Sequence, residues 1–167
     1  MYNKNIFFLV TFFLSTALIG METNKELFTI SLDGQKIHIT DITKNETVLF
    51  NHNCWVTIAA ISQSGKYIVT GSGTNQARLF DRKKEQQIHM FDLGSSVTAF
   101  GFSPCENHLA IASNANKMRI FDLTTYGKIK TVNHDSRIFS INFISSGNQL
   151  STKFSNDTMH IFKEETQ

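Results

Sequence analysis

Apolar residues recur along this chain at one fixed interval, and the residues between them alternate as short strands require. Positions 41 residues apart hold the same kind of side chain, as in the sets Ile68, Leu109, Leu150 and Phe80, Phe121, Phe162. Apolar runs of about six residues, separated by clusters of Gly, Ser, Asn and Asp, are typical of strands and turns. No stretch shows the sustained periodicity of an amphipathic helix. The pattern therefore predicts an all-β chain built from repeats.

Each full repeat is predicted to contain four short strands. The clearest repeat places them at Val97–Phe102, His108–Ala112, Met118–Phe121 and Lys128–Val132. Repeats of about 40 to 45 residues made of four short strands are typical of propeller blades. The domain is predicted to span residues 21–167, with repeats at approximately 21–53, 54–94, 95–135 and 136–167.

Short motifs occupy the same place in successive repeats. Residues 78–81 (RLFD) and 119–122 (RIFD) end third strands, and Ser103-Pro104 with Asn107 forms a turn after a first strand. His52 and His134 stand four residues before first strands. This pattern resembles the WD-repeat β-propeller family over residues 27–163. The resemblance implies propeller blades and a non-enzymatic scaffold that binds other proteins.

The chain departs from that family where the signature Trp would stand. Thr40, Phe80, Phe121 and Phe162 hold this position in the four repeats, and Lys163 follows the last of them in place of Asp. In the family, a structural His, an Asp, a Ser or Thr and the Trp indole form a hydrogen-bonded chain. Phe has no N–H to donate. This network is therefore expected to be incomplete, and the repeats are expected to depend mainly on packing.

The number of repeats raises the question of how a propeller would close. The resemblance implies a ring of about seven blades, whereas this chain holds three clear repeats and one partial repeat. An open arc would expose strand edges and apolar faces. One of three states is therefore expected: self-association that completes a ring, a fragment of a larger propeller, or a small four-bladed propeller, with the first two favoured together.

The N-terminal segment allows two interpretations. Residues 6–20 carry no charge, follow Lys4 and end near small residues, which is typical of a secretory signal. They are slightly short for a membrane-spanning helix of about 20 residues, although an uncleaved anchor is an alternative. The position 41 residues before Val56 is Ser15, so first β-strands of the ring are also compatible. A signal at residues 1–20 predicts an exported protein, periplasmic or extracellular, whereas ring strands predict a cytoplasmic one.

Charge and motif content exclude several classes of function. The net charge is +2, and the one tight basic run, residues 82–84, is followed by Glu85. A nucleic-acid partner, which needs a wide basic face, is therefore not expected. Six His residues are present, but no metal-ligand spacing or nucleophile elbow accompanies them. No cofactor, metal ligand or catalytic residue is predicted, and the chain is not expected to be an enzyme.

The leading functional hypothesis is a protein-binding scaffold whose loops carry recognition. The loops between repeats and the turns between second and third strands are expected to share one face. Matched His residues are expected to be structural first, and Trp55 is open to either packing or contact. Two other functions stay open, namely an exported propeller-type enzyme or metal-dependent hydrolase, and a degenerate fragment. The candidate protein-binding residues are His52, Trp55, Asn75, Asn116, His134 and Asp135.

Overall fold

Fourteen antiparallel strands in four sheets make up the described part of the chain. The computed structural model describes residues 28–51, 54–144 and 149–163. Sheet 1 contains β1 (Phe28–Asp33), β2 (Lys36–Asp41) and β3 (Glu46–Asn51); sheet 2 contains β4 (Val56–Ile61), β5 (Tyr67–Ser72), β6 (Gln76–Asp81) and β7 (Gln86–Asp92). Sheet 3 contains β8 (Val97–Phe102), β9 (His108–Ser113), β10 (Lys117–Asp122) and β11 (Lys128–Asn133); sheet 4 contains β12 (Ile138–Ile144), β13 (Gln149–Phe154) and β14 (Met159–Lys163).

The predicted all-β fold with blade-like sheets is confirmed. The strand β8 has the predicted bounds, β9 and β11 extend one residue beyond the predicted C-terminal end, and β10 extends one residue beyond the prediction at both ends. Within the described ranges, no helix is long and apolar enough to cross a membrane. The predictions for residues 1–20 and for His52 lie outside the described residues.

Each sheet is a meander in which consecutive strands pair. Sheets 2 and 3 contain all four strands of a repeat. In sheet 1, β2 ends at Asp41 in the way that the third strands β6 and β10 end at Asp81 and Asp122. β2 is therefore a third strand, and sheet 1 contains the second, third and fourth strands of a repeat. Sheet 4 supplies the first three. The matching position for a first strand of sheet 1 is residues 15–20, outside the described part of the chain.

The sheets pack one on the next in chain order. The first strands β4, β8 and β12 pack in sequence, and the second strands β1, β5 and β9 each pack on the first strand of the following sheet. Among the described strands, no comparable packing joins β1 to β12. Each sheet therefore contacts its neighbours in the chain, as in repeat proteins whose stability is a sum over adjacent units.

Three apolar layers lie between the four sheets. Side chains alternate across a strand, so a sheet with a neighbour on each side buries both faces. Each fully buried Ile or Leu contributes about 1.5–3 kcal/mol relative to an exposed one. The layers contain Ile30, Ile37, Ile39, Ile68 and Phe80 between sheets 1 and 2; Val69, Leu79, Leu109, Ile111 and Phe121 between sheets 2 and 3; and Ala110, Met118, Ile120, Ile141 and Leu150 between sheets 3 and 4.

Repeated Ser and Asp residues close turns at the end of the sheets opposite the inter-sheet linkers. The Ser62 and Ser103 hydroxyls accept the N–H of Tyr67 at 3.0 Å and of His108 at 2.9 Å. Asp122 Oδ1 accepts the N–H of Thr124 at 2.8 Å and of Thr125 at 2.6 Å. The Thr125 N–H and hydroxyl lead the causes that hold the pKa of Asp122 below its ordinary value. The repeated Asp is therefore a turn-capping residue.

Candidate functional site

One end of the sheets carries the segments that join successive repeats. We define the linker face as the inter-sheet linkers, residues 54–55, 93–96 and 134–137, with the turns between second and third strands, residues 34–35, 73–75, 114–116 and 155–158. The first and second strands of a sheet are antiparallel, so the second strand ends at the end of the sheet where the first strand begins. The linker before the first strand and the turn after the second strand therefore lie together.

The linkers are hydrogen-bonded to the sheets on both sides. In the linker at 93–96, the Leu93 N–H donates to the Asn75 carbonyl of sheet 2 at 3.0 Å. The Ser96 carbonyl accepts the Asn114 N–H of sheet 3 at 2.8 Å. Each end of this linker is thus bound to a different sheet, which gives the linker one conformation.

The linker at 134–137 repeats this arrangement between sheets 3 and 4. The His134 N–H donates to the Asn116 carbonyl at 2.8 Å, and the Arg137 carbonyl accepts the Ser155 N–H at 3.0 Å. The pairs Leu93–Asn75 and His134–Asn116 are related by the 41-residue period of the chain. The period therefore extends to loop geometry as well as to strands.

Asn75 and Asn116, both candidate binding residues, shape these turns. Their φ angles are 63° and 54°, in the left-handed region, which Asn tolerates better than most residues. Asp157, at φ 60°, occupies the same place in sheet 4. The Asn75 side chain is exposed and its Oδ1 accepts the Ser96 hydroxyl at 3.5 Å, whereas Asn116 is half-buried. The backbone of both residues is structural, and the exposed Asn75 amide faces solvent on the linker face.

His134 packs in an aromatic cluster at the junction of sheets 3 and 4. Its ring centroid lies 5.1 Å from that of Phe154 and 5.2 Å from that of Phe162, and His160 lies 4.8 Å from Phe154. The buried His134 Nε2 has no hydrogen-bond partner among the described residues. Burial, with His160 nearby, lowers the pKa of His134, and Asp135 opposes that shift. His134 is therefore a packing residue here, as expected where Phe162 stands in place of an indole donor.

The side chains of Trp55 and Asp135, like that of Asn75, are exposed on the linker face. The Trp55 side chain is 71% exposed, and its six-membered ring lies over Gly34, 3.7 Å from the place a Cβ would take. Asp135 is exposed beside the half-buried His134. The structure thus brings five candidate residues to one face, and the side chains of Trp55, Asn75 and Asp135 are exposed there.

Sequence reasoning missed Arg137 and Phe139, which extend this face along sheet 4. Phe139 is 53% exposed, and the Arg137 guanidinium lies over its ring at 5.1 Å. Phe139 is the extra residue of a β-bulge in β12, and Thr57 and Thr98 hold the equivalent bulges in β4 and β8. A bulge re-aims the side chain that it carries. The only sequence signal was a Phe where the other repeats have Thr.

Metal and basic sites receive no support on the described residues. No group of three or more His, Cys, Asp and Glu that could hold a metal ion occurs among them. In the basic run at 82–84, Arg82 Nε donates to the Gly65 carbonyl at 2.7 Å, and its guanidinium lies 4.6 Å from the centre of the Phe28 ring. Arg82 thereby ties sheet 2 to sheet 1, a structural role.

Comparison with known families agrees with this architecture. Residues 43–81 match the family model described as WD domain, G-beta repeat. The matched unit starts after Asp41 and ends at Asp81, so it takes β3 from sheet 1 and β4 to β6 from sheet 2. Comparison with curated proteins gave no match. The predicted resemblance to WD repeats is confirmed for this unit, and the sheets around it are blade-like.

Proposed function

We propose that this chain, in which residues 43–81 form a WD repeat, is a non-enzymatic scaffold that binds a protein partner through its linker face. WD repeats in general mediate interactions between proteins. The surface, the residues and the partner class assigned to this chain are our proposal. The observation that carries it is the doubly bound linker, which holds exposed side chains in one place.

A surface held in one conformation binds at lower entropic cost than a mobile one. The linkers at 93–96 and 134–137 are each bonded to two sheets. The loops do not need to be ordered when a partner arrives, so little of the interaction free energy is lost. This supports a preformed binding face on rigid sheets rather than a set of flexible loops.

The composition of the linker face suits recognition of a folded protein or an extended peptide. Its turns consist mainly of Gly, Ser, Thr and Asn, which supply adaptable hydrogen bonding in other binding loops. Trp55 and the Arg137–Phe139 pair supply exposed aromatic and guanidinium groups, the residue types that most often dominate binding energy. Asp135 and Arg137 carry opposite charges. Binding is therefore expected to depend on hydrogen bonds and aromatic burial and to change little with salt.

Affinity capture with matched variants tests this proposal. Trp55→Ala combined with Asp135→Ala alters exposed side chains of the linker face, while Lys83→Ala combined with Lys84→Ala alters exposed side chains at the opposite end. Captured proteins are quantified by mass spectrometry, and the best candidate is purified and its affinity measured directly. We expect the first variant to lose binding and the second to retain it. Binding that survives the linker-face changes and disappears with the lysine changes would refute the assignment.

A further inference from the structure

The two linkers of the linker face that are bonded to sheets on both sides differ in the residues that support them. At the junction of sheets 2 and 3, Arg119 Nη1 donates to the Leu93 carbonyl at 2.8 Å, so a permanently charged guanidinium braces the linker at 93–96. The residues 41 positions later are His160 and His134, at the junction of sheets 3 and 4. Two imidazoles thus replace a guanidinium and a leucine. Imidazoles change charge between about pH 5 and 8, whereas the other two side chains do not.

His134 lies where a proton would find no acceptor. Its ring is 5.1 Å from that of Phe154 and 5.2 Å from that of Phe162, measured between centroids. Its Nε2 is buried and has no hydrogen-bond partner among the described residues. A neutral imidazole keeps one nitrogen free of hydrogen, but the imidazolium carries an N–H on both. Protonation would therefore place a buried, unpaired donor and a charge between two phenyl rings, which is costly.

The charges around this junction compensate the burial of His134 only in part. Burial first, and then His160, lower the pKa of His134, while Asp135 raises it. Asp135 is exposed, so solvent screens its charge. In the half of sheets 3 and 4 that adjoins the linker, the other charged residues are Lys117, Arg119, Arg137, Lys153 and Asp157. Lys153 pairs with Asp157 at 2.9 Å, and Arg119 is directed to the other junction.

We infer that protonation of His134, with His160 beside it, opens the linker at 134–137 and leaves the linker at 93–96 in place. Opening breaks the 2.8 Å hydrogen bond from the His134 N–H to the Asn116 carbonyl and lets water reach the charged ring. The linker at 93–96 has no titratable side chain and keeps its guanidinium brace. One half of the linker face is therefore sensitive to pH and the other half is not.

This opening would regulate binding at the linker face. Asp135 lies in the segment that moves, and the Arg137–Phe139 pair is joined to it. A protein partner held there at neutral pH is released in mildly acid solution. That consequence rests on the proposed binding function, whereas the opening of the linker does not. Loss of the binding proposal in affinity capture would therefore leave the structural inference to be decided separately.

Amide hydrogen exchange of the full chain, followed by NMR without any partner, tests the opening. Protection factors, corrected for the intrinsic exchange rate, are compared at about pH 7.5 and about pH 5.0. The open linker binds a proton on His134 with the ordinary pKa of 6.5, so protection of the His134 amide should fall about 5- to 30-fold at the lower pH. Protection of the Leu93 amide should stay unchanged. Equal losses at the two amides, or no loss at His134, would overturn the inference.

Exchanging the residues of the two junctions gives the complementary test. His134→Leu combined with His160→Arg supplies the pair that supports the linker at 93–96, and the amide of residue 134 should then be equally protected at both pH values. His38→Gln, which removes a half-buried histidine of sheet 1, is the matched control and should keep the loss. A pH-dependent loss that persists in the double variant, or disappears in the control, would contradict the inference. If the double variant does not fold, the comparison of the two amides in the unmodified chain decides.

Discussion

Replacing Gly101 by Ala tests whether the close approach of sheets 3 and 4 stabilises the row of sheets. The added methyl group would lie 2.8 Å from Ile141 Cγ2 and 3.0 Å from the Ile141 carbonyl oxygen. That oxygen belongs to the backbone of β12, so the two strands must move apart. Overpacking of this kind costs about 1–3 kcal/mol. Ala also restricts the unfolded chain more than Gly does, which stabilises the folded state by about 0.4–1 kcal/mol. The free energy of unfolding is therefore expected to fall by about 1–2 kcal/mol.

Thermal denaturation followed by circular dichroism measures this loss. For a chain of this size, each kcal/mol lowers Tm by about 2–4 °C, so a decrease of about 2–8 °C is expected. Gly73→Ala is the matched control, because no heavy atom lies within 4 Å of the Cβ that it would add. A Gly101→Ala protein that melts with or above the Gly73→Ala protein would refute the account of the sheet 3–4 layer.

Three further predictions concern turns and titrating groups. The lowered pKa of His134 favours its neutral form in the folded state, so the free energy of unfolding should fall as pH drops below 6.5. Urea denaturation across this pH range should show a smaller fall in the free energy of unfolding for His134→Phe than for the unmodified chain. The pKa of Asp122 is also lowered, so Asp122→Asn should reduce Tm near neutral pH, and the difference should shrink as pH falls below 3.8. Gly65→Ala forces a side chain onto φ +71° and into the Phe28 ring, and chemical denaturation should show a loss of about 1–3 kcal/mol.

The strands of this fold were predictable because their apolar residues recur with one period. Strand β8 was predicted residue for residue, and the Asp that ends the third strands β2, β6 and β10 placed these three strands in register. Once that register is known, alternation assigns each side chain to a face. The period also placed Asn75 and Asn116 at the same turn, on the face where the structure has them.

The period could not show how individual residues at repeated positions differ in role. Phe139 is exposed because a bulge in β12 displaces it, and bulges depend on strand pairing rather than on alternation. Thr40 reads as a lost signature residue in the sequence, but in the structure it lies on an outer face that has no neighbouring sheet among the described residues. A sheet buries both faces only where it has a neighbouring sheet on each side. The sequence of a single repeat does not show whether its sheet has one neighbour or two.

The doubly bonded linkers connect sheet packing to the proposed binding face. The linker at 134–137 is bonded to sheet 3 through His134 and to sheet 4 through Arg137, so any change that separates these sheets also moves the linker. A loss of binding in Gly101→Ala would therefore report displaced loops rather than a lost contact. Trp55 lies exposed over Gly34, and its replacement by Ala removes little buried area. A variant that loses binding at unchanged Tm identifies a contact residue, and one that loses both identifies a residue of the scaffold.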